Sequence, residues 1–490
     1  MKIWNFVSCR LATCLSILLT TSTFNTVTYA SNGMNLIGYG SISRSMGGVG
    51  IALPGDAMSA AANPAGMSRV GTRYDIAAEY FRPIRGMYGK NLGNGVDAIQ
   101  HPYPNLSLDS SRNNFIMPTM GFNYVIDDKM TFGVSVIGGG MGTTYKQNIF
   151  DLNEFGDQHY QLYMFLIQMQ FLPTFTYKIN KNHAIGISPV IALQSFSAKG
   201  LGEFANFSMT KDANNFTDKR TEYVYGGGGR IGWLGDFMDE KLSVGAYWAS
   251  KVYMADFNKY RGLFADENLS IPENYGIGIA IKPNKKLTLA FDVTKTLYED
   301  IPAIANTHPD DCWISSGCSF QAADLGKADL VGGTYSDKLG TPNGMGFGWK
   351  NQTVYKLGVA LNYNSKVTLR AGLNYGKSPI PDNQLLFAVL APAVTEKHLT
   401  LGFTYKYDKE TDITFNYMHA FKARQNCAAN TFAAIADWND ANNTERGCET
   451  MLTGAGQTEV DIGSDNQIAG DIGVHMKQDA FGFQLSRRFD

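Results

Sequence analysis

The stretch from Val354 to Tyr375, VYKLGVALNYNSKVTLRAGLNY, decides the fold. Tyr355, Leu357, Val359, Leu361 and Tyr363 alternate with Lys356, Gly358, Ala360 and Asn362. After the polar turn Asn364-Ser365-Lys366, Val367, Leu369, Ala371, Leu373 and Tyr375 alternate with Thr368, Arg370, Gly372 and Asn374. Leu399 to Tyr407 repeats the pattern against Thr400, Gly402, Thr404 and Lys406. A period of two puts each set on one face of a strand. One face is apolar with aromatic ends, and the other is small or polar. A soluble sandwich would need a second sheet over its apolar face. Strands of about ten residues with aromatics near both ends instead suit a lipid-facing wall around a polar lumen. The expected fold is all-β, an antiparallel transmembrane barrel.

Fourteen such spans are expected, at 73–85, 115–126, 130–145, 165–179, 184–198, 223–237, 242–256, 273–282, 287–299, 353–363, 367–377, 397–407, 411–422 and 477–489. The connections after even strands are tight and those after odd strands are long, the rule for short periplasmic turns and long external loops. A mean hydropathy of -0.17 hides the pattern, because only every second residue is apolar. Outside the first thirty residues no run of about 18 apolar residues occurs that would suit a helical span. The 52 glycines and 12% aromatic content fit many short strands and interfacial girdles. Basic and acidic residues number 42 and 44, leaving -2 and no basic stripe for nucleic acid.

Residues 1–30 read as a cleaved secretory signal: Lys2 and Arg10, an apolar stretch from Leu11 to Leu19, then Thr28-Tyr29-Ala30. The expected destination is the outer membrane of a Gram-negative cell. Four cysteines fall as two local pairs in long external stretches, Cys312 with Cys318 and Cys427 with Cys448, and read as disulfide staples. Metal binding is the competing reading, and no histidine stands beside either pair at zinc-like spacing. Residues 31–71 do not belong to the wall: they are rich in Gly, Ala, Ser and Met, without sustained alternation. They suit a compact plug inside residues 72–490, with short helical pieces at Asp56 to Ala62 that Pro64 ends.

Met46-Gly47-Gly48-Val49-Gly50-Ile51-Ala52, then Asp56-Ala57, then Asn63-Pro64-Ala65-Gly66 resembles the N-terminal hatch of the long-chain fatty acid transporters of Gram-negative outer membranes, a family that also contains toluene and xylene channels. Trp349 to Gly358, Thr368 to Gly372, Ser378-Pro379-Ile380-Pro381, Leu390 to Val394 and His398 to Gly402 are similar to its late strands. The resemblance implies a fourteen-stranded barrel plugged by its hatch, with Gly47, Gly48, Asn63, Pro64 and Ala65 as hatch residues. It also implies capture of a hydrophobic molecule by external loops, transfer to a deeper pocket, and lateral exit through a kink of the third strand. Gly138, Gly139, Gly140 and Gly142 mark a suitable break, since glycine inside a strand weakens pairing and favours bulges. The alternative is that they only make room for the plug.

For capture, the apolar residues of external loops stand out: Leu201, Phe204, Phe207 and Met209 after the fifth strand, and Phe257, Leu263 and Phe264 after the seventh. The resemblance places a groove between these loops, and a loop minicore is the competing reading. Phe387 and Leu390 are candidates for the deeper pocket. A fatty acid carboxylate would suit an inward cation, for which alternation offers Arg370 and Arg230; with neither in contact, a neutral hydrocarbon fits better. No Gly-x-Ser-x-Gly, His-Glu-x-x-His or Cys-x-x-Cys occurs, and no cofactor or enzymatic role is expected. The expected function is passive uptake of long-chain fatty acids or, alternatively, aromatic hydrocarbons. An acyl hydrolase or an adhesive barrel is the reading from another class. The expected partners are hydrophobic small molecules, outer-membrane lipid and lipopolysaccharide. A closed barrel needs no second copy to cover its edges.

Overall fold

The computed structural model describes residues 32–90, 105–146, 161–205, 210–307, 338–382, 384–385, 387–426 and 471–489. The signal segment and two of the capture candidates, Phe207 and Met209, lie outside the described residues. So do Cys312, Cys318, Cys427 and Cys448, and the two expected disulfides with them. Fourteen antiparallel strands close into one barrel. They are β1 (Arg73–Lys90), β2 (interrupted, Asn105–Asp109 and Phe115–Val125), β3 (Met130–Tyr145), β4 (Leu162–Lys178) and β5 (His183–Lys199). Next come β6 (Glu222–Phe237), β7 (interrupted, Leu242–Ala249 and Tyr253–Met254), β8 (Asn274–Ile281), β9 (Leu287–Thr296) and β10 (Gln352–Asn362). β11 (Val367–Gly376), β12 (Lys397–Lys406), β13 (Thr411–Asn426) and β14 (Asp471–Arg488) complete the ring. β14 pairs with β1 along all 18 residues of each, from Arg73–Arg488 to Lys90–Asp471.

Each strand follows its neighbour through a turn whose chemistry is local. In five of the six short turns an Asp or Asn side chain accepts two backbone N–H groups: Asp127, Asn180, Asn284, Asn364 and Asp408. These side chains cap amides inside the turn, while backbone bonds such as Ile126 N–H to the Met130 carbonyl and Tyr407 N–H to the Thr411 carbonyl close it. The sixth turn uses Met238, Asp239 and Glu240, with φ of +55°, +54° and +63°. Above the turns, Tyr355, Leu357, Leu373, Leu401, Phe403, Phe415 and Phe483 are exposed while their neighbours Lys356, Asn374, Thr400, Thr414 and Gln484 are buried. Water would not tolerate an apolar band of that extent, and lipid covers it. No helix among the described residues is long and apolar enough to cross a membrane.

Residues 32–71 fill the lumen. Their backbone is held by inward side chains of the wall: Asp292 accepts from Gly50 and Ile51 (2.8 and 3.0 Å), Asp75 from Ala57 (2.7 Å), and Thr400 from Gly47 (2.7 Å). Asn374 and Asn123 donate to the carbonyls of Gly47 and Met67, both at 3.0 Å. Arg44 forms a buried ion pair with Glu79 of β1. A compact segment without regular strands thus satisfies its buried backbone polar groups on the wall. Gly47 and Gly48 take φ of +70° and +88°, which only glycine adopts at little cost.

A short helical turn falls inside the span expected at Asp56 to Ala62, and only the role of Pro64 differs from expectation. Pro64 starts a helix and does not end one. A 3-10 turn at Ser59–Ala61 precedes another at Pro64–Arg69, and the Asn63 side chain caps the second by accepting from Ala65 N–H at 3.0 Å. Proline at the first helical position loses no hydrogen bond, and its φ suits the helix. A further short helix, Gly40–Arg44, carried no sequence signal.

Wall and plug meet backbone to backbone at Gly372 of β11, where an added Cβ would stand 2.1 Å from Gly47 N. Gly372→Val is expected to unseat residues 46–48 and cost about 1–3 kcal/mol by overpacking. Limited proteolysis of the plug and the thermal midpoint check this, with the barrel still showing heat-modifiable mobility.

Candidate functional site

Four external loops meet over one mouth of the barrel and bury a common core. Leu201 and Phe204 come from the loop after β5, Leu263 and Phe264 from that after β7, and Phe387 and Leu390 from that after β11. These six line one apolar cavity, closed on another side by Met345 and Phe347 of the loop after β9. No lining residue carries a charge. The cavity leaves about 30 Å³ for a water-sized sphere to centre in, room on the scale of one water. Its walls must part to take a larger guest. Phe257 is not in the lining. It lies behind, packed on Phe196 and Phe264 with ring centroids 5.6 and 5.4 Å apart. Groove and minicore are therefore two sides of one cluster.

Below the cavity the wall is broken. β3 alternates buried and less buried residues up to Ile137, and from Gly140 to Tyr145 every residue is buried. Gly140 and Gly142 take φ of +145° and +156°, a backbone that L side chains disfavour. Gly138 and Gly139 show no such φ, and a Cβ at either would meet only ordinary contacts. The turn inward is thus made at Gly140 and Gly142. β4 follows β3 throughout, from Met130–Tyr177 to Tyr145–Leu162. The β2–β3 ladder stops at Met120–Val136, although β2 stays paired with β1 through Phe115.

This opening in the ladder has a frame and a filling. At its top, Arg85 of β1 donates through Nε and a terminal nitrogen to the Gly142 carbonyl (2.8 and 2.5 Å) and through its other terminal nitrogen to the Arg112 carbonyl (3.0 Å). Ser111 N–H donates to the Thr144 carbonyl at 2.8 Å. Phe115, Met117 and Phe165, on the strands beside the opening, share one buried apolar cluster with Leu36 and Ile37 of the plug. Met34, two residues earlier, belongs to the same apolar core as the cavity residues and Ile137 and Met141. Tyr298 holds that end of the plug, accepting from Met34 N–H and donating to the Asn32 carbonyl. The cavity and the bent strand also touch directly: Tyr145 Oη donates to the Val389 carbonyl (2.9 Å) and Thr143 Oγ1 to the Leu390 carbonyl (3.1 Å).

The two arginines offered for a carboxylate are elsewhere. Arg370 sits four residues from the periplasmic turn and donates to Thr404 Oγ1 at 2.6 Å. Arg230 donates to the Ala61 carbonyl at 2.5 Å. Neither lines the cavity. Asn63 Nδ2 bridges the carbonyls of Ile51 and Trp233 (2.8 and 2.9 Å), fixing the plug to β6. Sequence reasoning missed Met345 and Phe347, which alternate with Gly344, Gly346 and Gly348 outside the expected strands, and Arg85, whose partners lie far along the chain.

The family model described as outer membrane protein transport protein (OMPP1/FadL/TodX) matches residues 38–444. The Pseudomonas putida toluene transporter TodX is similar in fold, with a TM-score of 0.60 at 17% identity over 94% of this chain and 100% of that one. So are a Pseudomonas aeruginosa FadL homologue (0.58, 14%, covering 94% and 100%) and the Ralstonia pickettii toluene transporter TbuX (0.56, 15%, covering 93% and 100%). No curated protein matches the chain.

Arg85→Ala removes charged hydrogen bonds worth about 1.5–3 kcal/mol each. The amides of residues 110–112 and 142–145 are expected to exchange about tenfold faster or more, while those of β10 to β12 stay unchanged. Hydrogen exchange in detergent or nanodiscs reads both.

Proposed function

The chain belongs to this outer-membrane transport family, and on that premise we propose that it takes up neutral hydrophobic molecules, of the size class of monoaromatic hydrocarbons, through a lateral opening in its wall. The observation that carries the proposal is the lining of the loop cavity, apolar throughout with no cation among the described residues. Binding there scales with apolar area removed from water and offers a carboxylate no counter-charge. The related toluene transporters support the same direction. Long-chain fatty acids are the second reading, favoured by the length of the apolar core, which runs from the loops past Met34 to Met141.

The route follows the apolar side chains. A molecule leaves the outer surface into the loop cavity, where Leu201, Phe204, Leu263, Phe264, Phe387 and Leu390 close around it. Val389 and Leu390 are tied to Thr143 and Tyr145, so parting the cavity pulls on the bent end of β3. Movement of Met34 to Ile37 then clears the opening between β2 and β3, and the molecule passes sideways into lipid. The plug below stays seated on Asp292, Thr400 and Asp75 and closes the lumen to water. No bond is made or broken, and direction comes from consumption in the cell. Outer-membrane lipid and lipopolysaccharide surround the exit.

Cells lacking their own transporter and expressing this protein should take up labelled toluene, with labelled oleate run beside it. Replacing Gly140 and Gly142 with valine should reduce uptake to background with the barrel still folded at the surface. Oleate uptake without toluene uptake would reassign the cargo to fatty acids. Undiminished uptake in the valine variant would remove the lateral route.

A further inference from the structure

At the outer rim of β11 to β13 the lipid-facing girdle ends in a row that the register fixes as Tyr355, Tyr375 and Lys397, with Phe421 exposed on β13. Just above it the β13–β14 ladder slips between Ala420 and Ala423. Ala420 opposes Gln478 and Ala423 opposes Met476, all four on the lumen side or buried. The slip therefore inverts the pattern. Without it Lys422 and Arg424 would follow Met418 and Ala420 into the barrel; with it both stand exposed outside. A bulge that re-aims side chains at a barrel rim is a built feature.

Lys422 and Arg424 join exposed Lys377 and Lys397 in lining a cleft of about 510 Å³, which also includes Phe421, Glu396 and Asp382. Four cations thus face two carboxylates. None of the four is ion-paired among the described residues; Arg424 instead lies 5.8 Å over the Tyr88 ring. Some exposed cations elsewhere are paired, such as Arg487 with Glu410 and Lys350 with Glu299, while others, such as Lys285 and Lys286, stand in the short turns away from any cleft of this kind. What distinguishes the four is that they converge on one cleft, beside the exposed ring of Phe421 at the rim of the aromatic girdle.

We infer that this cleft binds the phosphorylated glycolipid of the outer leaflet, lipopolysaccharide, with its phosphates on Lys377, Lys397, Lys422 and Arg424 and an acyl chain against Phe421. Flexible ammonium groups and a guanidinium fork suit phosphate oxygens, and an anionic headgroup beside the wall is where such charges gain most. The cleft shares no lining residue with the cargo cavity. Its occupancy does not depend on what the channel carries.

The test titrates purified full-length protein in nanodiscs with bis-phosphorylated lipid A and with its dephosphorylated form, against the K377Q/K397Q/K422Q/R424Q variant. Wild type is expected to bind the phosphorylated form about tenfold or more tightly than the dephosphorylated one, and the variant to lose that margin. Excess inorganic phosphate should not displace the glycolipid. The charge-conserving variant K377R/K397R/R424K should retain the margin and controls for folding. Equal affinity for both lipids, an unchanged margin in the glutamine variant, or displacement by inorganic phosphate would each overturn the assignment.

Discussion

In lipid no water stands ready to pair a free N–H or C=O, so a spanning chain must satisfy its backbone within the protein. Everything in this barrel follows from that demand. The β14–β1 seam closes the ring over the full length of both strands. Where the ladder between β2 and β3 is interrupted, the protein supplies substitutes: Arg85 takes up the Gly142 carbonyl, Ser111 the Thr144 carbonyl, and apolar side chains from strands and plug cover the rest. The break is bounded above and below by hydrogen bonds, which keeps it local.

The same demand shapes the plug. Its turns expose N–H groups inside a closed wall, and the wall answers with carboxylates and hydroxyls aimed inward. Asp292 serves two successive amides, and Asp75 both caps Ala57 and pairs with Arg73. Close approach then needs inner-wall positions without side chains, as at Gly372. The result divides the molecule into a lower lumen held by many wall side chains and an upper part, from Met34 to Ile37, that rests on apolar contact, on Tyr298 and on the Asn35 side chain donating to Thr296 Oγ1. Only the upper part touches both the loop cavity and the wall opening.

Much of this was legible in the chain because it is written locally. Alternation from Tyr355 to Tyr375 needs no knowledge of distant residues, and neither do the Asp and Asn turns; the strand spans follow from both. Of the glycine run in β3, Gly140 and Gly142 take positive φ and Gly138 and Gly139 do not, a difference the sequence does not show. What escaped was non-local or depended on single residues. Pro64 reads equally as a stop or a start until the Asn63 cap is seen. Arg370 and Arg230 point inward as alternation requires, but their partners, Thr404 and the Ala61 carbonyl, belong to other strands and to the plug. The loop residues Leu201, Phe204, Leu263, Phe264, Phe387 and Leu390 were legible as out of place in water, though only folding brings them to one cavity. The slip after Ala420 left no mark, since a one-residue bulge changes no composition.

The near-filled cavity has a consequence for the cell's permeability. Among the described residues, a closely packed apolar cavity above and a seated plug below narrow the path that ions and water would have to follow. A bacterium can then insert many copies without short-circuiting its outer barrier or admitting water-soluble toxins. Uptake capacity and envelope integrity are set by separate parts of one chain.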